Sequence, residues 1–191
     1  GYGLKGTGKF EFQNNTFSRN DYPIVISKYG ANTFIECSGN TFSDNKYNGI
    51  RIDSFKDETF TISDMQIPYV IYGWGFNQGK QVTIEAGTII KIRPDYFITV
   101  EGELILDGTS EKPVIFTSYY DDTAGGDTDG SAYSPSTSPW RNITVKSGGK
   151  LVCSYTKILY AGYNSSNAIN IEEGGKAEII DSVINNYYGA G

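Results

Sequence analysis

Histidine is absent from the 191 residues, and that absence excludes every mechanism needing an imidazole base or ligand. Ser-His-Asp triads and His-ligated zincin centres are therefore ruled out within these boundaries. Apolar runs are short as well: none approaches the roughly 18 residues of a helical membrane span. The first residues, Gly1-Tyr2-Gly3-Leu4-Lys5, lack the layout of a signal peptide, so we expect the chain to be excised from something larger. Positive charge is scarce and unclustered, with 16 basic against 22 acidic side chains and a net charge of −6. Nucleic acid is thus not an expected partner, because binding it requires many phosphates to be neutralised at once.

Helical periodicity is nearly missing too. Short alternating runs of β-branched and aromatic residues are separated by Gly, Asn, Asp and Ser, which reads as many short strands. Self-similarity organises them. Asn15-Thr16-Phe17-Ser18-Arg19-Asn20 recurs as Asn40-Thr41-Phe42-Ser43-Asp44-Asn45, an offset of 25 positions, and each copy is followed by an alternating strand (Ile24-Val25-Ile26, then Ile50-Arg51-Ile52). The beat continues with drift through Phe60-Thr61-Ile62, Val82-Thr83-Ile84, Leu104-Ile105-Leu106 and Val114-Ile115-Phe116. Near the end, Ile158 and Val183 are again 25 apart. Units that resemble their sequence neighbours bury their apolar faces by stacking. We therefore expect an all-β single domain over residues 1–191, a right-handed parallel β-helix of about seven coils, with one loop insertion at 119–139. Its open coil ends are candidates for self-association.

Stacked coils place Asn15 over Asn40 and Asn20 over Asn45, where asparagine side chains bond neighbouring backbone and close turns. Strand parity turns Cys37 and Cys153 inward. Some four coils of about 4.8 Å each separate them, too far for a disulfide, so both are expected as free, buried thiols.

From Tyr119 the repeat breaks. Asp121, Asp122, Asp127 and Asp129 lie among glycines in a loop that suits a hard cation such as Ca²⁺, though without the spacing of an EF-hand. A solvated acidic loop is the other reading. Aromatic residues gather in two places: Tyr69, Tyr72 and Trp74 in a Gly-punctuated stretch, and Tyr119, Tyr120, Tyr133 and Trp140 around the insertion. Flat rings on a rigid solenoid can stack on sugars, and equally they can fill a core. For catalysis, Asp121 with Asp122, or Lys91 with Arg93 on one outward strand face, are the available acid and base groups. Adjacency alone does not establish convergent geometry, and no catalytic residue is assigned.

The run Ala86-Gly87-Thr88-Ile89-Ile90-Lys91-Ile92, then Ile98 to Leu104, then Asp107-Gly108-Thr109 to Pro113-Val114-Ile115-Phe116-Thr117-Ser118, resembles right-handed parallel β-helix segments of bacterial secreted and cell-surface proteins. That group includes pectate lyases and polygalacturonases. Their histidine-containing motifs are not found here, so their catalytic residues are not carried over. The tapirins, cellulose-adhesion proteins of plant-degrading anaerobes, share the architecture and fit an aromatic-rich chain without histidine. The resemblance implies an extracellular adhesion module that binds cell-wall polysaccharide such as cellulose. A β-helical lyase or glycoside hydrolase is the alternative, and a structural stalk the third.

Overall fold

The computed structural model describes residues 1–136, 139–163 and 167–186, the side chains of 34–37 and 186 excepted. Among them are 21 strands and no helix. Every strand pairing is parallel. An eight-stranded sheet runs from Tyr2–Gly6 through Tyr22–Ile26, Ile50–Ile52, Tyr69–Ile71, Ile89–Ile92, Val114–Ser118 and Thr156–Ala161 to Val183–Asn186. A five-stranded sheet joins Phe60–Ile62, Gln81–Glu85, Glu103–Asp107, Lys150–Ser154 and Lys176–Ile180, and a four-stranded one joins Trp74–Phe76, Ile98–Val100, Ile143–Val145 and Ile169–Ile171. Two further pairs lie near the N-terminus. The chain visits these sheets in rotation, an arrangement compatible with a parallel β-helix.

Alternation along the strands explains the core. Ile24, Ile50, Tyr69, Ile90, Phe116 and Ile158 are paired neighbours and all buried, as are Phe60, Val82, Leu104 and Leu151 on the five-stranded sheet. Removing such columns of β-branched and aromatic side chains from water stabilises each level against its neighbours, at about 25 cal/mol per Å² of apolar surface.

The asparagine ladder forms as expected. Asn40 accepts from the Asn15 backbone at 2.9 Å, and Asn45 accepts from the Asn20 backbone at 3.0 Å while donating to the Phe17 carbonyl. Left-handed backbone falls one residue before each ladder position, at Asn14, Arg19, Gly39 and Asp44. The asparagines are chosen for their hydrogen bonds, and their neighbours carry the turn.

Register keeps the 25-residue offset where Thr16–Ser18 pairs with Thr41–Ser43 and departs from it along most of the chain. Ile158 pairs with Ile184, not with Val183. Ile50 pairs with Tyr69, so this unit is shorter than the first. Cys153 is a buried free thiol whose pKa burial pushes up to about 12, while Cys37 lies outside the described side chains. No helix is long and apolar enough to cross a membrane among the described residues.

Candidate functional site

The insertion folds back across the outer face of the eight-stranded sheet. Val25, Val70, Lys91 and Thr117 point away from the core by alternation, yet all four are buried. Loop residues cover them: the Lys91 ammonium donates to the Gly126 carbonyl at 2.6 Å and to the Thr128 hydroxyl. A methyl group on Gly49 would meet Thr128 and Val70, and one on Gly125 would meet Pro68 and Ile89, which shows how closely the loop lies on the sheet. Burial pulls the Lys91 pKa down to about 8, against the opposing pull of Asp122, Asp121, Asp129 and Asp127.

Three of the four aspartates accept hydrogen bonds from neighbouring residues of the chain. Asp121 accepts from the hydroxyls of Thr117 and Thr123, at 2.6 Å each, and from the Thr123 backbone. Asp127 accepts from the backbones of Asp129 and Gly130, and Asp129 from that of Ser131. Asp122 is exposed, and its carboxyl pKa is raised by partial burial and then by Asp127. Among the described residues no three acidic, cysteine or histidine side chains gather closely enough to hold a metal ion. Turn N–H groups and threonine hydroxyls take up part of the accepting capacity of Asp121, Asp127 and Asp129, and the Lys91 ammonium is held by the same loop.

Beside this loop the same outer face carries a ladder of arginine and tyrosine. Tyr72, Arg93 and Tyr119 each follow the last paired residue of successive strands, Ile71, Ile92 and Ser118, so they stack by register. The Arg93 guanidinium lies 5.1 Å from the Tyr72 ring and 4.7 Å from that of Tyr119. Arg51 lies 5.4 Å from the other side of the stack at Tyr72 and 5.7 Å from Tyr22, whose hydroxyl is 3.4 Å from that of Tyr119. Burial drives the phenol pKa of Tyr119 well above its ordinary value. Both phenols therefore stay protonated.

The ladder opens onto an aromatic shelf. Arg93-Pro94-Asp95-Tyr96 closes a turn through the Tyr96 N–H and the Arg93 carbonyl, with proline second and a left-handed Asp95 (φ 67°) third, the arrangement of a type II turn. The turn ejects Tyr96 and Phe97, which are 41% and 47% exposed. Tyr96 packs edge-on to Tyr72 at 5.7 Å, and the two with Phe97, Trp74, Gly73, Gly75 and Thr99 line a groove of about 440 Å³. Arg141 reaches over Phe97 at 6.0 Å.

Of the aromatic residues expected at the surface, Tyr72 and Tyr120 are half-buried and Tyr133 is 65% exposed, and Tyr120 packs on Tyr133 at 5.3 Å. Tyr69, Tyr119 and Trp140 are covered, whereas Trp74, 6% exposed, is among the residues lining the groove. Tyr69 is a core residue donating to the Ser63 carbonyl; Trp74 stacks inside on Phe55 at 4.3 Å; Trp140 is enclosed and donates to the Leu159 carbonyl; Tyr119 lies beneath Arg93 and the loop. Parity accounts for Tyr69 and Trp74, which sit at inward strand positions, while Tyr119 is outward and is covered by its neighbours. The outward Lys91 and Arg93 are likewise separated in kind, one sealed and one half-open. Tyr96, Phe97 and Arg141 went unnoticed in the sequence, although a Pro-Asp pair between a strand and two aromatics is a turn signal.

Comparison with protein families, curated proteins and solved structures returns no match for this chain.

Proposed function

We propose that this chain is a non-catalytic glycan-binding module of a bacterial cell-surface protein, in which a right-handed parallel β-helix presents an aromatic shelf to cell-wall polysaccharide such as cellulose. The observation that carries this reading is the groove where the partly exposed rings of Tyr72, Tyr96 and Phe97 come together on a rigid face. Flat rings with polar tips offer apolar faces to the C–H surfaces of sugars and hydroxyls to their rims. The support is stiff, because Tyr72 is held by two guanidinium groups and Tyr96 by its turn.

A lysine with its pKa lowered to about 8 is a feature that catalytic bases share. Lys91 is nonetheless fully covered, and Asp121 is buried with it, so neither reaches a substrate laid on the surface. That burial supports the non-catalytic reading. The test is depletion of the protein from solution by insoluble polysaccharides, with the supernatant assayed for unbound protein and for released sugar. Depletion without product is expected; product release would move the assignment to an enzyme, and no depletion on any matrix would leave a structural stalk.

A further inference from the structure

Arg93 and Arg141 have aromatic neighbours but, among the described residues, no carboxylate partner. Arg51, on the same ladder, donates to Asp53 at 2.6 Å. Among the described residues no carboxylate lies within ion-pair distance of Arg93 or Arg141, and the buried Nε of Arg141 has no hydrogen-bond acceptor. A half-buried guanidinium ordinarily takes a carboxylate, whose geometry matches its fork of N–H donors. The faces of Arg93 are taken by Tyr72 and Tyr119, which fixes its plane and leaves its N–H edge as the remaining binding surface. Both arginines border the shelf: the Tyr96 N–H donates to the Arg93 carbonyl, and the Tyr96 carbonyl accepts from the Arg141 N–H.

We propose that the glycan held on this shelf is anionic, with carboxylate or sulfate groups taken by Arg93 and Arg141 while its sugar rings lie on Tyr72, Tyr96 and Phe97. The inference rests on the glycan-binding reading and adds the charge of the ligand to it. Bulk electrostatics work against a polyanion, since the chain's net charge is −6. Any preference for a charged glycan therefore has to come from a local site.

The experiment compares three matrices with one backbone: cellulose, cellulose oxidised to the C6 carboxylate, and sulfated cellulose. Wild type, Arg93→Gln, Arg141→Gln and Phe97→Ala are measured on each, with thermal unfolding alongside. Retention about tenfold stronger on at least one charged matrix is expected, as one charge-assisted bidentate pair supplies. Either arginine variant should remove the preference, while Phe97→Ala weakens charged and neutral matrices alike. Arg141→Gln keeps the test open should Arg93→Gln unfold. The carboxylate and sulfate arms identify which anion is held. Equal retention on neutral and charged matrices, or a preference that survives both arginine variants, overturns the inference and leaves the glycan reading standing. Retention on none of the three overturns both.

Discussion

Lys91 and Gly126 are 35 positions apart, yet the ammonium of one donates to the carbonyl of the other at 2.6 Å under a loop that shuts out water. The contact ties the insertion to the sheet and explains why an acidic, glycine-rich segment is ordered without a core of its own. Burying one charge is costly unless it is paired and hydrogen-bonded. Here the surrounding aspartates and two oxygen acceptors offset part of that cost, burial remaining the larger effect.

Removing the ammonium should therefore loosen the loop. We expect Lys91→Ala to lower stability by roughly 3 kcal/mol, the usual cost of leaving buried partners uncompensated. Denaturant unfolding measures it, and amide exchange in residues 119–136 should rise in parallel. A variant as stable as wild type would show that the lysine is incidental.

The same residue gives a pH signature. Folding lowers the Lys91 pKa from 10.5 to about 8, so across that window the unfolded chain holds more of the proton. The Lys91 contribution to stability is then flat below about pH 8 and rises with pH up to about 10.5. The stability difference between wild type and Lys91→Met should shift in favour of wild type over that range. Cys153 titrates in the opposite sense, its stabilising effect being lost above pH 9, but it is common to both proteins and cancels in the difference. An unchanged difference from pH 7 to 10 would contradict the placement of Lys91.

Trp140 and Trp74 are expected to behave as core residues. Replacing either by Ala should cost about 3–5 kcal/mol. Trp140→Phe keeps most of the volume and loses only the bond to Leu159, so its cost should be nearer 1 kcal/mol. A substitution that spared thermal unfolding but abolished glycan binding would return these rings to the surface.

Much of the fold was legible because alternation and repetition are local properties. Ile24 over Ile50 and Asn20 over Asn45 follow directly from repeated residues. The site was less legible, because parity says only that a side chain leaves the core and not what then covers it. Lys91 and Arg93 share an outward parity, and only the path of the loop buries the first. The glycine neighbours of Trp74 suggest an exposed turn, whereas it lies in a strand with its ring on Phe55 and reaches the groove only in part.

The asparagine ladder should respond level by level. Asn45→Ala removes bonds from the Asn20 backbone and side chain and to the Phe17 carbonyl. A loss of about 1–2 kcal/mol is expected, given the net worth of each bond and the groups left unsatisfied. Protection of the Asn20 amide from exchange should fall with it; full protection would show that the stacked strands alone hold the turn.

The thiol of Cys153 is shielded by the core. Alkylation of the native protein, located by peptide mass spectrometry, should leave Cys153 unmodified until denaturant is added. Rapid native labelling would mean that the last levels of the structure open freely.

The central claim is that the shelf of Tyr72, Tyr96 and Phe97 holds a glycan. It is tested most directly by the double variant Tyr96→Ala/Phe97→Ala in polysaccharide depletion, beside wild type and the exposed-ring control Tyr155→Ala. Loss of retention in the double variant, with thermal unfolding and the control unchanged, is the expected result. Retention equal to wild type would contradict it.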